Sequence, residues 1–232
     1  MSMNRRPPRP ERRQGDAAKR GMDLVVAGAL TLVALPVMLV AALLVRLSSP
    51  GPVLFQQQRV GRDGSPFRLY KFRTMRVANA GPSVTAGGDR RVTPVGRWLR
   101  KFKLDELPQL INVLTGDMSL VGPRPEVPEY VRHYTTEQRE TLRVRPGVTG
   151  LSQIVLLGRE EAMLAGRADA EEFYLTTIMP AKLSIDLRYV RERTFLGDLG
   201  LIVQTAVAIA RHREVPAELP PGVGAPTKRA PQ

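Results

Sequence analysis

Between Asp23 and Arg46 the chain runs for 22 residues, Leu24 to Val45, without a single charged side chain. A helix of that length can reach across ~30 Å of hydrocarbon at ~1.5 Å per residue. A cleavable secretory signal fits poorly, because the run exceeds the usual apolar core and no small-x-small cleavage site follows it. An ordinary buried helix is the other alternative, although such helices are shorter and amphipathic. Membrane insertion is therefore the expectation.

The flanks constrain how the run inserts. Arg5, Arg6, Arg9, Arg12, Arg13, Lys19 and Arg20 precede it, and Arg46, Arg59, Arg62, Arg68, Lys71 and Arg73 follow it. Positive side chains favour the cytoplasmic face, which puts both ends there. Pro36 lies inside the run, where it removes a backbone donor and clashes with the preceding turn. Twelve residues of the run precede it and nine follow. Neither half spans the bilayer alone, so the reading is a re-entrant helix, broken at Pro36, that enters and leaves by one face. A kinked single span is the alternative on sequence alone.

A length of 232 residues suits one compact core with appendages. The formal net charge of +13 favours anionic partners: lipid headgroups, phosphorylated substrates or nucleic acid. Aromatic residues make up only 5% and no nucleic-acid module is recognisable, so nucleic acid is not the expected partner. The absence of cysteine excludes disulfides, a thiol nucleophile and a thiolate zinc site, and two histidines are too few for a histidine-rich centre. A divalent metal would have to be held by carboxylates and phosphate oxygens, the preference of magnesium.

The expected divisions are a disordered basic arm at 1–18 resting on anionic lipid, the membrane helix at 19–48, a catalytic domain at 49–210, and a disordered proline-rich tail at 211–232. Ser49-Pro50-Gly51-Pro52 is a turn cluster. Val53-Leu54-Phe55 and Phe67 to Phe72 read as two short strands, turned by Gly61 and Asp63-Gly64. Helices are expected from Val95 to Leu104, from about Pro108 to Leu114, and from Glu129 to Val144. The apolar stretch Phe195 to Ala210 either lies in the membrane interface or closes the core. The fold class is α/β, mostly helical, with a short hairpin and interfacial amphipathic helices around an active site at the cytoplasmic face.

Asp105 and Glu106 are the sharpest chemical candidates. They stand just ahead of the helix start at Pro108, where unpaired amides and positive partial charge suit carboxylates and phosphates alike. Arg97, Arg100, Lys101 and Lys103 precede them and Arg124 follows. Such cations would hold an anionic substrate and offset charge on a transferring phosphoryl group. Taken without context, an acidic pair of this kind is far more often a solvated helix start.

The motifs decide the context. They are Lys19-Arg20 with Asp23, Gly51-Pro52-Val53-Leu54-Phe55-Gln56, Arg59-Val60-Gly61-Arg62 and Lys71-Phe72-Arg73-Thr74-Met75. Leu99-Arg100 and Leu104-Asp105-Glu106-Leu107-Pro108-Gln109-Leu110 follow, then Asn112-Val113-Leu114, the run Gly116 to Pro125, and Arg145-Pro146-Gly147-Val148-Thr149-Gly150. In this order, over roughly residues 19 to 205, the chain resembles the bacterial sugar transferases, specifically the small monotopic polyprenyl-phosphate phosphoglycosyl transferases. The resemblance implies an enzyme on the cytoplasmic face of the inner membrane. It would pass a sugar 1-phosphate from a UDP-sugar to undecaprenyl phosphate, with magnesium, as the first membrane step of a polysaccharide or glycoconjugate pathway. Asp105 would be the nucleophile and a metal contact, Glu106 an assistant of either the nucleophile or the metal, and Lys71, Arg100 and Arg124 the cations on the substrate phosphates, with Arg73 and Arg145 as weaker additions. Pro36 matches the family's helix break. The rival reading is a non-catalytic membrane anchor for other assembly enzymes.

The chain departs from the family in three places. Leu35 stands where serine usually precedes the breaking proline, with Thr31 one turn earlier as a candidate to compensate. Lys103 replaces the serine that would cap the helix after the acidic pair. The usual Asn-Gly-Arg segment after Gly150 gives way to a longer stretch, Ile154 to Leu183, expected to shape sugar choice. Asp186, Tyr189 and Asp198 fit the family's downstream pattern.

Overall fold

The computed structural model describes residues 16–76 and 91–211. The first 15 residues of the basic arm and the tail beyond Arg211 lie outside that range. Helix α1 spans Asp16–Ser48, so it starts three residues inside the stretch assigned to the arm. It is long and apolar enough to cross a membrane. Pro36 sits within it, and Thr31 does not relieve the backbone there. Its hydroxyl donates to the Ala27 carbonyl at 2.7 Å, whereas the carbonyl that a proline at 36 leaves without its partner is that of residue 32.

The expected hairpin is present. Strands β1 (Leu54–Val60) and β2 (Pro66–Phe72) pair antiparallel from Leu54 with Phe72 to Val60 with Pro66. Asp63 and Gly64 both take positive φ in the turn, as the sequence indicated. Helix α2 (Pro94–Lys101) starts on Thr93, whose hydroxyl accepts from the Gly96 amide at 2.9 Å. It stops three residues short of the expected Leu104. A 3₁₀ turn, Leu104–Glu106, intervenes before helix α3 (Gln109–Thr115).

The helix expected from Glu129 to Val144 is two pieces, α4 (Pro128–Val131) and a 3₁₀ segment, Gln138–Arg143. Thr135 and Gln138 explain the break: the Gln138 amide donates to the Thr135 hydroxyl at 3.2 Å, and the Thr135 amide donates to Gln138 Oε1 at 2.9 Å. This reciprocal pair starts a new turn and so ends the old one.

A second sheet was not anticipated. Strands β3 (Ser119–Val121) and β4 (Gly147–Thr149) run parallel, Ser119 beside Gly147 and Val121 beside Thr149. Their close approach needs glycine, since a Cβ on Gly147 would stand 2.1 Å from the Gly122 nitrogen. Beyond β4 come α5 (Leu151–Val155), α6 (Arg159–Leu164), α7 (Ala170–Phe173), a π-helical turn (Tyr174–Ile178), α8 (Met179–Glu192) and α9 (Phe195–Arg211). One buried cluster joins Ala27 of α1 to Leu110, Val113, Leu120 and Tyr189, and another joins Ala41 and Val45 of α1 to Phe72 and Leu99. The two ends of α1 thus pack on one body, while Leu32, Val33 and Leu39 between them stay exposed. Helix α9 both closes the core, through buried Leu201, and turns Leu196 and Val203 outward.

Candidate active site

Asp105 and Glu106 occupy the tight turn between α2 and α3. The turn is entered through Lys103, whose φ of +55° is left-handed and provides no side-chain cap. A non-glycine residue there costs ~1–2 kcal/mol, strain of the kind that collects at working sites. With the capping serine of the family replaced by lysine, the regular helix begins only at Gln109.

The two carboxylates are held in opposite ways. Glu106 Oε1 receives Lys71 Nζ from β2 at 2.9 Å and Arg124 Nη2 at 2.7 Å, and Arg124 Nη1 reaches Oε2 at 3.4 Å. Burial alone would push the Glu106 carboxyl up, but Arg124 first and Lys71 second hold it well below the usual carboxylate range. In return Glu106 keeps the Arg124 guanidinium firmly charged. Asp105 is buried, and its Oδ1 has no hydrogen-bond partner among the described residues. Burial pushes its carboxyl up and the neighbouring Glu106 charge adds to the push, against the pull of Lys71, Lys103 and Arg100. One carboxylate is saturated and ionised, and the other is desolvated and open.

Arg100 is fixed from α2 through its Nε, which donates to Thr74 Oγ1 at 2.9 Å. The structure therefore gathers Asp105, Glu106, Lys71, Arg100 and Arg124. Arg73 and Arg145 are placed elsewhere. Buried Arg73 donates through Nη2 to Ser49 O at 2.6 Å and Ser49 Oγ at 3.1 Å, tying the end of β2 to the end of α1. Arg145 donates through Nε to the Gly116 carbonyl at 2.8 Å, among Arg20, Arg62 and Asp23 near the start of α1. Gln153 of α5 was not singled out in the sequence, yet its Oε1 accepts from Arg124 Nη1 at 3.2 Å.

Among the described residues, no group of three or more His, Cys, Asp or Glu side chains is placed to hold a metal ion. The open Oδ1 of Asp105 suits an ion completed by substrate phosphate oxygens and water, which is how magnesium is commonly bound.

The family model of the bacterial sugar transferases matches residues 14–212. This chain belongs to that family. The enzyme class expected from the motifs follows: it is a transferase. It is 40% identical over 199 residues to a UDP-glucose:undecaprenyl-phosphate glucose-1-phosphate transferase of Caulobacter vibrioides, covering 84% of this chain and 70% of that protein. A protein of the same name from Escherichia coli is 41% identical over 192 residues, 81% of this chain and 39% of its own length. A UDP-N-acetylgalactosamine-undecaprenyl-phosphate N-acetylgalactosaminephosphotransferase of Aeromonas hydrophila is 46% identical over 142 residues, 59% of this chain and 34% of its own length. The chain thus spans well under half of the latter two relatives. Their names differ in the sugar, so similarity leaves the donor open.

Proposed function

We propose that this sugar transferase is a phosphoglycosyl transferase that moves a sugar 1-phosphate from a UDP-sugar to undecaprenyl phosphate and releases UMP. The observation that carries the mechanism is the contrast at residues 105 and 106: a buried carboxylate with an unpartnered oxygen beside one neutralised by Lys71 and Arg124. An oxygen of Asp105 attacks the phosphorus that bears the sugar. The bond from that phosphorus to the bridging oxygen breaks, and UMP departs with the electron pair. The phosphosugar is then an acyl phosphate on Asp105. A phosphate oxygen of the polyprenyl acceptor attacks the same phosphorus, breaks its bond to Asp105, and yields a polyprenyl diphosphate sugar. Two displacements replace one harder reaction.

Lys71, Arg100 and Arg124 supply positive charge that is in place before the reaction, so phosphoryl oxygens are stabilised with little reorganisation. Glu106 holds Lys71 and Arg124 close to Asp105 while keeping its own charge. Magnesium, held by Asp105 and the donor phosphates, would neutralise charge on the diphosphate.

For the membrane, the reading is re-entrant and monotopic. Arg20 donates to the Val113 and Leu114 carbonyls, and Asp23 accepts from the Leu120 amide at 3.1 Å. At the far end of α1, Arg73 holds Ser49. One body grips both ends, which favours both lying on the same face of a bilayer that takes up the exposed middle. Exposed Trp98, Phe102, Ile111, Leu114 and Leu196 would add interfacial contacts from α2, α3 and α9. The active site then sits at the headgroup plane, where a lipid phosphate presents itself without leaving the membrane. The cytoplasmic face follows from the flanking arginines and lysines.

The test is UMP release by detergent-purified protein with magnesium, undecaprenyl phosphate and a panel of UDP-sugars. Wild type should release UMP with at least one donor, and Asp105→Ala should lose at least ~10³-fold in rate. Undiminished release by the variant would transfer the nucleophile's role elsewhere. Function in cells that survives Asp105→Ala would favour the anchor reading.

A further inference from the structure

The loop that carries Arg124 cannot fix itself. Pro123 and Pro125 remove two of its amide donors, so its position depends on outside anchors. Its first half is tied to β4, by Gly122 N to Thr149 O and Gly147 N to Pro123 O, both at 2.9 Å. Its second half is tied to β1, by Val60 N to Glu126 O at 2.9 Å and Arg59 Nη1 to Pro125 O at 3.0 Å. A further anchor is the buried carboxylate of Glu126, and it reaches into the segment where the family resemblance lapses.

Glu126 Oε1 accepts from the Tyr174 hydroxyl and from Lys182 Nζ, the latter at 3.1 Å. Lys182 also donates to the Tyr174 oxygen at 3.0 Å and pairs with Glu160 of α6 at 3.2 Å. Arg59 lies 3.5 Å from Glu126 Oε2. The Tyr174 ring packs on Tyr130, centroids 5.2 Å apart. Tyr174 opens the π-helical turn that leads into α8, an irregularity common where a side chain must be re-aimed. The cluster balances two carboxylates with two cations, and Lys182 is among its most buried members. Nothing in the transfer step described above uses it.

We propose that Lys182 and Tyr174 are positioning residues: by clamping Glu126 they hold the loop so that the Arg124 guanidinium stays on Glu106 beside Asp105. This rests on the phosphoglycosyl transfer reading. The segment 154–183 thereby acts on the reaction through the cation on the substrate phosphate. A loop displaced by about 1 Å at such a site can reduce turnover up to ~100-fold while leaving much of the donor's binding surface in place.

The experiment compares Tyr174→Phe, Lys182→Met and the double variant Glu126→Gln/Lys182→Met with wild type. It measures kcat and KM for the active UDP-sugar, the melting temperature, and hydrogen exchange of the peptide covering residues 120–128. Lys182→Met should lower kcat about tenfold with donor KM within about twofold, and should speed exchange in that peptide. Tyr174→Phe keeps the ring packing and should lower kcat by about threefold. Lys182→Met leaves two carboxylates against the single cation Arg59, whereas the double variant leaves one of each, Glu160 and Arg59, so it should regain melting temperature over Lys182→Met while its kcat stays low. A kcat that recovers together with the melting temperature, or exchange at 120–128 that is unchanged in folded variants, would overturn the proposal. Exchange is read without turnover. A wild type silent with every donor but showing the exchange change would therefore fault the transfer reading and leave the clamp standing.

Discussion

At the scale of single residues, the site separates two adjacent carboxylates by their surroundings. Asp105 is the one held against stability. Its folded-state carboxyl is pushed up, so the fold binds its proton more tightly than the unfolded chain does, and stability falls as pH rises through the carboxylate range. Asp105→Asn should therefore be more stable than wild type at pH 8, by ~1 kcal/mol, the usual size of such function-for-stability exchanges, and inactive. Thermal melts at pH 5 and pH 8 check this, and an Asn variant that melts lower at pH 8 would contradict it. The structure brings the acidic pair together with the cations at 71, 100 and 124, and each of these lies inside a motif of fixed spacing. Arg73 and Arg145 lie inside equally clear motifs, yet their guanidinium groups satisfy backbone carbonyls at the end of α1 and of α3.

At the scale of elements, the hairpin was readable from apolar strands bounded by Asp63-Gly64, and the long apolar helix α1 from its missing charges. The 129–144 segment was not, because the side chains of Thr135 and Gln138 bond locally and override helical periodicity. Strands of three residues, such as β3 and β4, present no period to read. The packing of α5 against α8 hides another feature. Asp186 of α8 is buried near Ser152 of α5, and burial pushes its carboxyl up to about 7. The folded pKa exceeds the unfolded one, so Asp186 imposes little penalty near pH 4 and a growing one up to pH 7. Asp186→Asn should raise the melting temperature more at pH 8 than at pH 5, a difference of roughly 2–3 kcal/mol in stability. Parallel melting curves for the two proteins across that range would rule this out.

At the scale of the whole molecule, helix α1 and the body that carries the acidic pair are one packing unit. Lys19 meets Asp198 at 2.6 Å, the Tyr189 hydroxyl lies between Asp198 Oδ1 at 2.9 Å and the Val121 carbonyl at 3.1 Å, and so the first turns of α1 connect to the strand before the Arg124 loop. The same body holds Val45 and Ser49 at the other end. Since the sequence contains no cysteine, single cysteines report topology directly. Gly21→Cys and Leu47→Cys should both react with an impermeant maleimide in inverted inner-membrane vesicles, and neither in right-side-out vesicles. Labelling from opposite sides would replace the re-entrant reading with a span. Whether Asp105 carries the sugar phosphate is read by intact-protein mass spectrometry after incubation with the active UDP-sugar and magnesium without a lipid acceptor. Wild type should gain one sugar phosphate, mapped to Asp105, lost on adding undecaprenyl phosphate, and absent from Asp105→Asn. An active enzyme that never carries the adduct, or carries it in the Asn variant, would contradict it.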